Sequence, residues 1–79
     1  MATKSVGALV KRARAQVGMS QRELGEAVGV KASHIAYIEN DQRKPSMALM
    51  LNLADTLKIS AKELLFLAHP EAKRIMGKP

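Results

Sequence analysis

The sequence predicts an all-α fold of five short helices, and three observations predict it. Apolar residues recur three and four apart in five separate segments, the spacing of one helix face, while no segment shows the two-residue alternation of a strand. Ser-x-x-Glu occurs at Ser20/Glu23 and again at Ser60/Glu63, each time at the head of an apolar periodic segment, the pattern of a capping box. Residues 20–40, SQRELGEAVGVKASHIAYIEN, read as a helix, a three-residue turn and a second helix.

The first helix is predicted from about Val6 to Val17. Ser5 or Thr3 caps it, Val6, Leu9, Val10, Ala13 and Val17 form its buried stripe, and Gly18 closes it. Ser20 caps the second helix, which ends near Val28 with Leu24 and Val28 on one face. Gly29 then permits the turn and Val30 plugs it. Gly25 sits where two steeply crossing helices need close backbone approach. The third helix runs from about Ala32 to Asn40 with Ile35 and Ile38 inward. Pro45 precedes a fourth helix capped by Ser46, with Met47, Met50, Leu53, Ala54 and Leu57 facing the core. That helix is richer in apolar residues than one buried face requires. Leu49 is expected to project elsewhere and Leu51 to sit at the edge, so that with Phe66 they form an exposed apolar patch. Ser60 caps the fifth helix, where Leu64 and Leu65 pack and Phe66 either joins them or adds to the exposed patch. His69-Pro70 ends it, because proline disfavours the helical conformation just before it.

Size and composition narrow the function. Seventy-nine residues make one domain with a thin core. There is no cysteine, so no disulfide or thiolate metal site, and two histidines without acidic neighbours at ligand spacing do not suggest zinc. The longest apolar runs are MALML and LLFLA, too short to span a membrane. The basic N-terminus lacks a signal-peptide apolar region, so the cytoplasm is the expected compartment. Paired carboxylates, a Ser/His/Asp set and a phosphate-cradling glycine loop are all missing, which argues against an enzyme and against a bound cofactor. Net charge is +6, and residues 1–19 hold Lys4, Lys11, Arg12 and Arg14 with no acid. Such a balance suits a polyanion partner, although it equally serves solubility alone.

The order of these motifs resembles the Cro and phage-repressor (XRE-type) helix-turn-helix family. LVKRARAQVGMSQREL is similar to the family's first helix and its Gly-x-Ser-Gln lead into helix 2. IENDQRKPS is similar to the loop after the recognition helix, and MLNLADTLKISAKELL to helices 4 and 5. The likeness runs over about residues 6–67, nearly all of the chain. Two positions depart from the pattern. Gly25 stands where the family usually has alanine, at a propensity cost of roughly 1 kcal/mol. Asp41 stands where it usually has glycine. The resemblance implies a lambda-repressor-like DNA-binding domain over residues 1–68 with a basic tail over 69–79. It implies a sequence-specific transcriptional regulator, most simply a small bacterial or phage repressor that binds an inverted-repeat operator in double-stranded DNA as a homodimer.

Site residues follow in part from the resemblance and in part from geometry. With Ile35 and Ile38 inward, Lys31, Ala32, Ser33, His34 and Tyr37 face out. The family reads bases with the positions matching Ala32, Ser33 and Tyr37, to which Lys31 is added for its reach to guanine. Tyr37 could instead pack half-buried on the fourth helix, and His34 could be a solvated surface residue rather than a phosphate ligand. Gln21 begins a helix whose free N–H groups favour an anion, and Ser20 could assist. The resemblance places Asn40, Arg43 and Lys44 against the phosphate backbone, and pairs Arg14 with Glu39 as a bidentate ion pair orienting the first and third helices. Leu49, Leu51 and Phe66 are the expected dimer surface. A competing function is a protein-interaction module of the same fold, antitoxin-like or coactivator-like. It would lack phosphate-binding side chains around the third helix, and Gln21, Asn40, Arg43 and Lys44 argue against that.

Overall fold

A computed structural model describes residues 5–69, which form five α-helices: α1 Val6–Gln16, α2 Gln21–Val28, α3 Ala32–Glu39, α4 Met47–Leu57 and α5 Ala61–Ala68. No strand occurs among the described residues, and no helix there is long and apolar enough to cross a membrane. Thr3, the alternative cap, lies outside the described residues, as does the basic tail beyond His69.

Each helix start follows from local chemistry, since the first N–H groups of a helix have no partner inside it. Ser5 Oγ accepts from Ala8 N at 3.0 Å, and Ser46 Oγ accepts from Leu49 N at 3.1 Å. At α2 the capping box is complete: Ser20 Oγ accepts from Glu23 N at 2.9 Å and Glu23 Oε1 accepts from Ser20 N at 2.8 Å. At α5 only the hydroxyl half forms, Ser60 Oγ accepting from Glu63 N at 3.1 Å, so the second expected box is incomplete. Lys31, the N-cap residue of α3, makes no side-chain cap bond.

Four of the helices are closed by a residue in the left-handed region: Gly18, Gly29, Asp41 and Lys58. After α3, Asp41 N donates to Ile38 O and Gln42 N to Tyr37 O, which satisfies the last carbonyls. Asp41 takes φ +59° there and does a second task. Its Oδ1 accepts from Gly7 N at 2.9 Å, so the end of α3 caps the start of α1. The approach is close enough that a Cβ on Gly7 would lie 2.5 Å from the carbonyl oxygens of both Ile38 and Glu39. Gly25 is also a close-approach site, where α2 meets the turn and the start of α3: a Cβ would lie 2.5 Å from Val30 O and 3.4 Å from Ala32 N.

The core draws fully buried side chains from every helix, namely Val10, Leu24, Ile35, Ile38, Leu53 and Leu64. Helix α2 packs chiefly on α3, α1 on α3, and α4 on α5. Two expectations about the core are corrected. Val17 is exposed, because α1 stops at Gln16 and Val17 becomes its C-terminal cap. On α4 the inward set is Leu49, Met50, Leu53, Ala54 and Leu57, with Leu49 only 8% exposed and Met47 52% exposed. Leu49 therefore does not contribute to an exposed patch. The stripe 49-50-53-54-57 is centred on one helix face, and Met47 falls on its flank in the first turn.

Candidate nucleic-acid interface

Helix α3 has two faces with different jobs. Ile35, Ile38 and Glu39 are buried, which turns Lys31, Ser33 and Tyr37 to solvent and leaves Ala32, His34 and Ala36 half-buried. Tyr37 is 48% exposed, so about half of its surface is open to solvent and half is covered. The turn before α3 and the loop after it border the same face. Together they make an open groove lined by Lys31, Ser33, His34, Tyr37 and Arg43, along with Gly29 and Val30. Residues from two ends of the helix are thus brought together, although they are six to twelve positions apart in the chain. Asn40 is exposed beside this groove in sequence, and Lys44 is exposed but lines a different recess with Ser5, Asp41 and Pro45.

Behind the groove lies a polar network centred on Glu39, whose side chain is 2% exposed. Arg14 Nε donates to Glu39 Oε2 at 2.6 Å and Arg14 Nη2 donates to Oε1 at 3.1 Å, a two-point contact between α1 and α3. A third donor is Gln21 Nε2, at 3.0 Å from Oε1. Arg14 Nη1 also donates to Met19 O at 2.8 Å, which ties the connection before α2 to the same cluster. Hydrogen bonding to Glu39 raises the Arg14 guanidinium above its ordinary pKa; burial opposes this, and the carboxylate charge adds to it. No buried side-chain nitrogen or oxygen among the described residues lacks a hydrogen-bond partner.

Sequence reasoning missed the bonds from Gln21 to Glu39, from Arg14 to Met19 and from Gly7 to Asp41. The first two depend on the angle at which α1, α2 and α3 meet, which no local pattern encodes. The third had one signal: an acidic residue at the left-handed position after a helix, where glycine is easier. The apolar patch is smaller than expected. Leu51 is 53% exposed on α4, whereas Phe66 is half-buried with Lys62 Nζ 5.8 Å from its ring centroid.

A helix-turn-helix whose second helix turns a polar and basic face outward has a counterpart in known sequences, because residues 10–64 match the profile of the helix-turn-helix family. The chain belongs to the XRE-type helix-turn-helix family. This family is a non-enzymatic DNA-binding class. Two relatives in Bacillus subtilis, YgzD and YazB, are described as uncharacterized HTH-type transcriptional regulators. The first is 36% identical over 58 residues, covering 73% of this chain and 88% of its own. The second is 37% identical over 65 residues, covering 82% and 90%. Among solved structures, the P22 c2 repressor in complex with a synthetic operator is similar at a TM-score of 0.74 and 27% identity, over 78% of this helix-turn-helix chain and 94% of the repressor chain. The restriction-modification controller protein C.AhdI from Aeromonas hydrophila gives 0.69 and 32%, over 75% and 89%.

Proposed function

We propose that this DNA-binding transcriptional regulator is a small repressor whose homodimer lays α3 in successive major grooves of an inverted-repeat operator. One observation carries the reading: the groove on the outer face of α3, where Lys31, Ser33, His34, Tyr37 and Arg43 converge. Ala32 offers only a methyl group, which suits the methyl of thymine. Ser33 both donates and accepts, and Tyr37 offers a hydroxyl. None of these makes a bidentate base contact, so direct readout is modest. Lys31 reaching guanine and the shape of the DNA supply the remainder. Ser20, Gln21, His34, Asn40, Arg43 and Lys44 take phosphates and fix the register, as such contacts do generally. The Ser20 hydroxyl accepts from Glu23 N and keeps its own proton to donate.

The dimer forms through Met47 and Leu51, one turn apart on α4, with Phe66 at the margin. A two-fold pair of recognition helices requires half-sites about one helical turn apart. The regulator works in a bacterial or phage-infected cytoplasm and needs no cofactor. Selection from a pool of randomised duplexes tests the reading, with binding repeated at two salt concentrations. An enriched inverted repeat supports a dimeric operator binder. Salt-sensitive binding without enrichment overturns sequence-specific repression and directs attention to a protein partner.

A further inference from the structure

We propose that Glu39 is a positioning residue for DNA binding: it fixes the side-chain amide of Gln21 so that an N–H, and not the carbonyl, is turned to the phosphate backbone. The proposal rests on the reading of the α2 N-terminus as a phosphate contact. It assigns to the buried ion pair a task beyond setting the angle between α1 and α3.

An ionised carboxylate only accepts, and Glu39 receives three N–H groups: two from Arg14 and one from Gln21. A glutamine amide has an NH2 end and a C=O end of nearly equal shape, and its partners decide which end points where. Against Glu39 only the NH2 end is acceptable. One proton of Nε2 is held by Oε1, and the second stays available on a residue that is only half-buried at the first position of α2. Without the carboxylate the amide can flip and set its oxygen lone pairs against a phosphate. It also regains the rotamer freedom that binding must then remove. Arg14 contributes by clamping Glu39 from the other side, so that the carboxylate cannot swing out to meet the glutamine in solvent.

The test is a mutant cycle on binding to a mixed-sequence duplex at low salt, where phosphate contacts dominate. Gln21→Ala is made in the unaltered chain and in the Arg14→Met/Glu39→Met double variant. Replacing both partners of a buried ion pair by apolar side chains of similar volume is often neutral for stability, so that background is expected to fold. In the unaltered chain Gln21→Ala weakens binding by about tenfold, the size of one hydrogen bond to a charged group. In the double variant the same substitution costs less than about twofold, the expectation if an unheld amide contributes no such bond. Arg43→Ala is the control and keeps its full effect in both. A full loss from Gln21→Ala in both backgrounds overturns the positioning role and leaves the DNA face intact. Loss of duplex binding by the unaltered chain, or no effect of either Gln21→Ala or Arg43→Ala, overturns the DNA-face reading itself. A second measurement needs no substitution. In amide-proton NMR of the free protein, the Gln21 side-chain protons should exchange more slowly than those of the exposed Gln16 and Gln42, and one should shift on adding the duplex. Exchange as fast as in those two glutamines overturns the proposal.

Discussion

Glu39 is where single side chains matter most. It is the one buried charged residue among those described, and it is satisfied only because Arg14 and Gln21 reach it. Removing the arginine strands a buried carboxylate, so Arg14→Ala is expected to cost about 3 kcal/mol, read from urea unfolding. The Arg14→Met/Glu39→Met pair should lie within about 1 kcal/mol of the original. Because the guanidinium is held above its usual pKa, it is charged in folded and unfolded chains alike below about pH 12. Its stabilisation is fully present there and is lost only as pH rises through the raised folded value. Neutral and mildly alkaline urea curves should therefore show the same Arg14→Ala deficit. On the outer face the effects separate by kind. Tyr37→Ala or Ser33→Ala should alter which duplexes are preferred. Arg43→Ala should weaken all duplexes alike and lower the salt slope by about one. Competition binding at several salt concentrations distinguishes the two classes.

At the scale of the element, the helix ends were legible and the helix faces less so. Ser5, Ser20, Ser46 and Ser60 each cap a helix as the sequence predicts, because the hydroxyl and the N–H it serves are three residues apart and need no tertiary context. Helix α4 is different. MALMLNLADTL holds apolar residues over so much of its circumference that two stripes are possible, and only packing against the other helices decides for Leu49 over Met47. The groove residues were legible as one outward face, but Arg43 joining Lys31 needed the path of the loop after α3. Helix junctions also carry measurable strain. Lys58 is exposed at φ +59°, a conformation that costs a non-glycine residue roughly 1 kcal/mol. Lys58→Gly should stabilise the protein by up to about 1 kcal/mol in thermal unfolding. Asp41→Gly should give no such gain, because the bond to Gly7 is lost with the strain. Gly7→Ala should destabilise by about 1–3 kcal/mol, since its Cβ would press on two backbone carbonyls that cannot rotate away.

For the molecule as a whole, a core fed by all five helices implies that none of them unfolds alone. Leu53→Ala should cost about 2–5 kcal/mol and broaden nothing: the transition stays single, with circular dichroism and duplex binding lost together. The fold class was readable at this scale because periodicity, caps and turn agreed with one another, whereas the meeting of Arg14, Gln21 and Glu39 was not, being a product of three helices at once. The division of α3 into an inner and an outer face has a consequence for how such a protein changes over generations. Ile35, Ile38 and Glu39 hold the helix in place from its buried face, while the side chains of Ser33 and Tyr37 are exposed on the other. An arginine or glutamine could replace Ser33 or Tyr37 with little effect on folding and install a firm guanine or adenine preference. The address this chain recognises can drift, or be rewritten by design, while the scaffold that delivers it stays as it is.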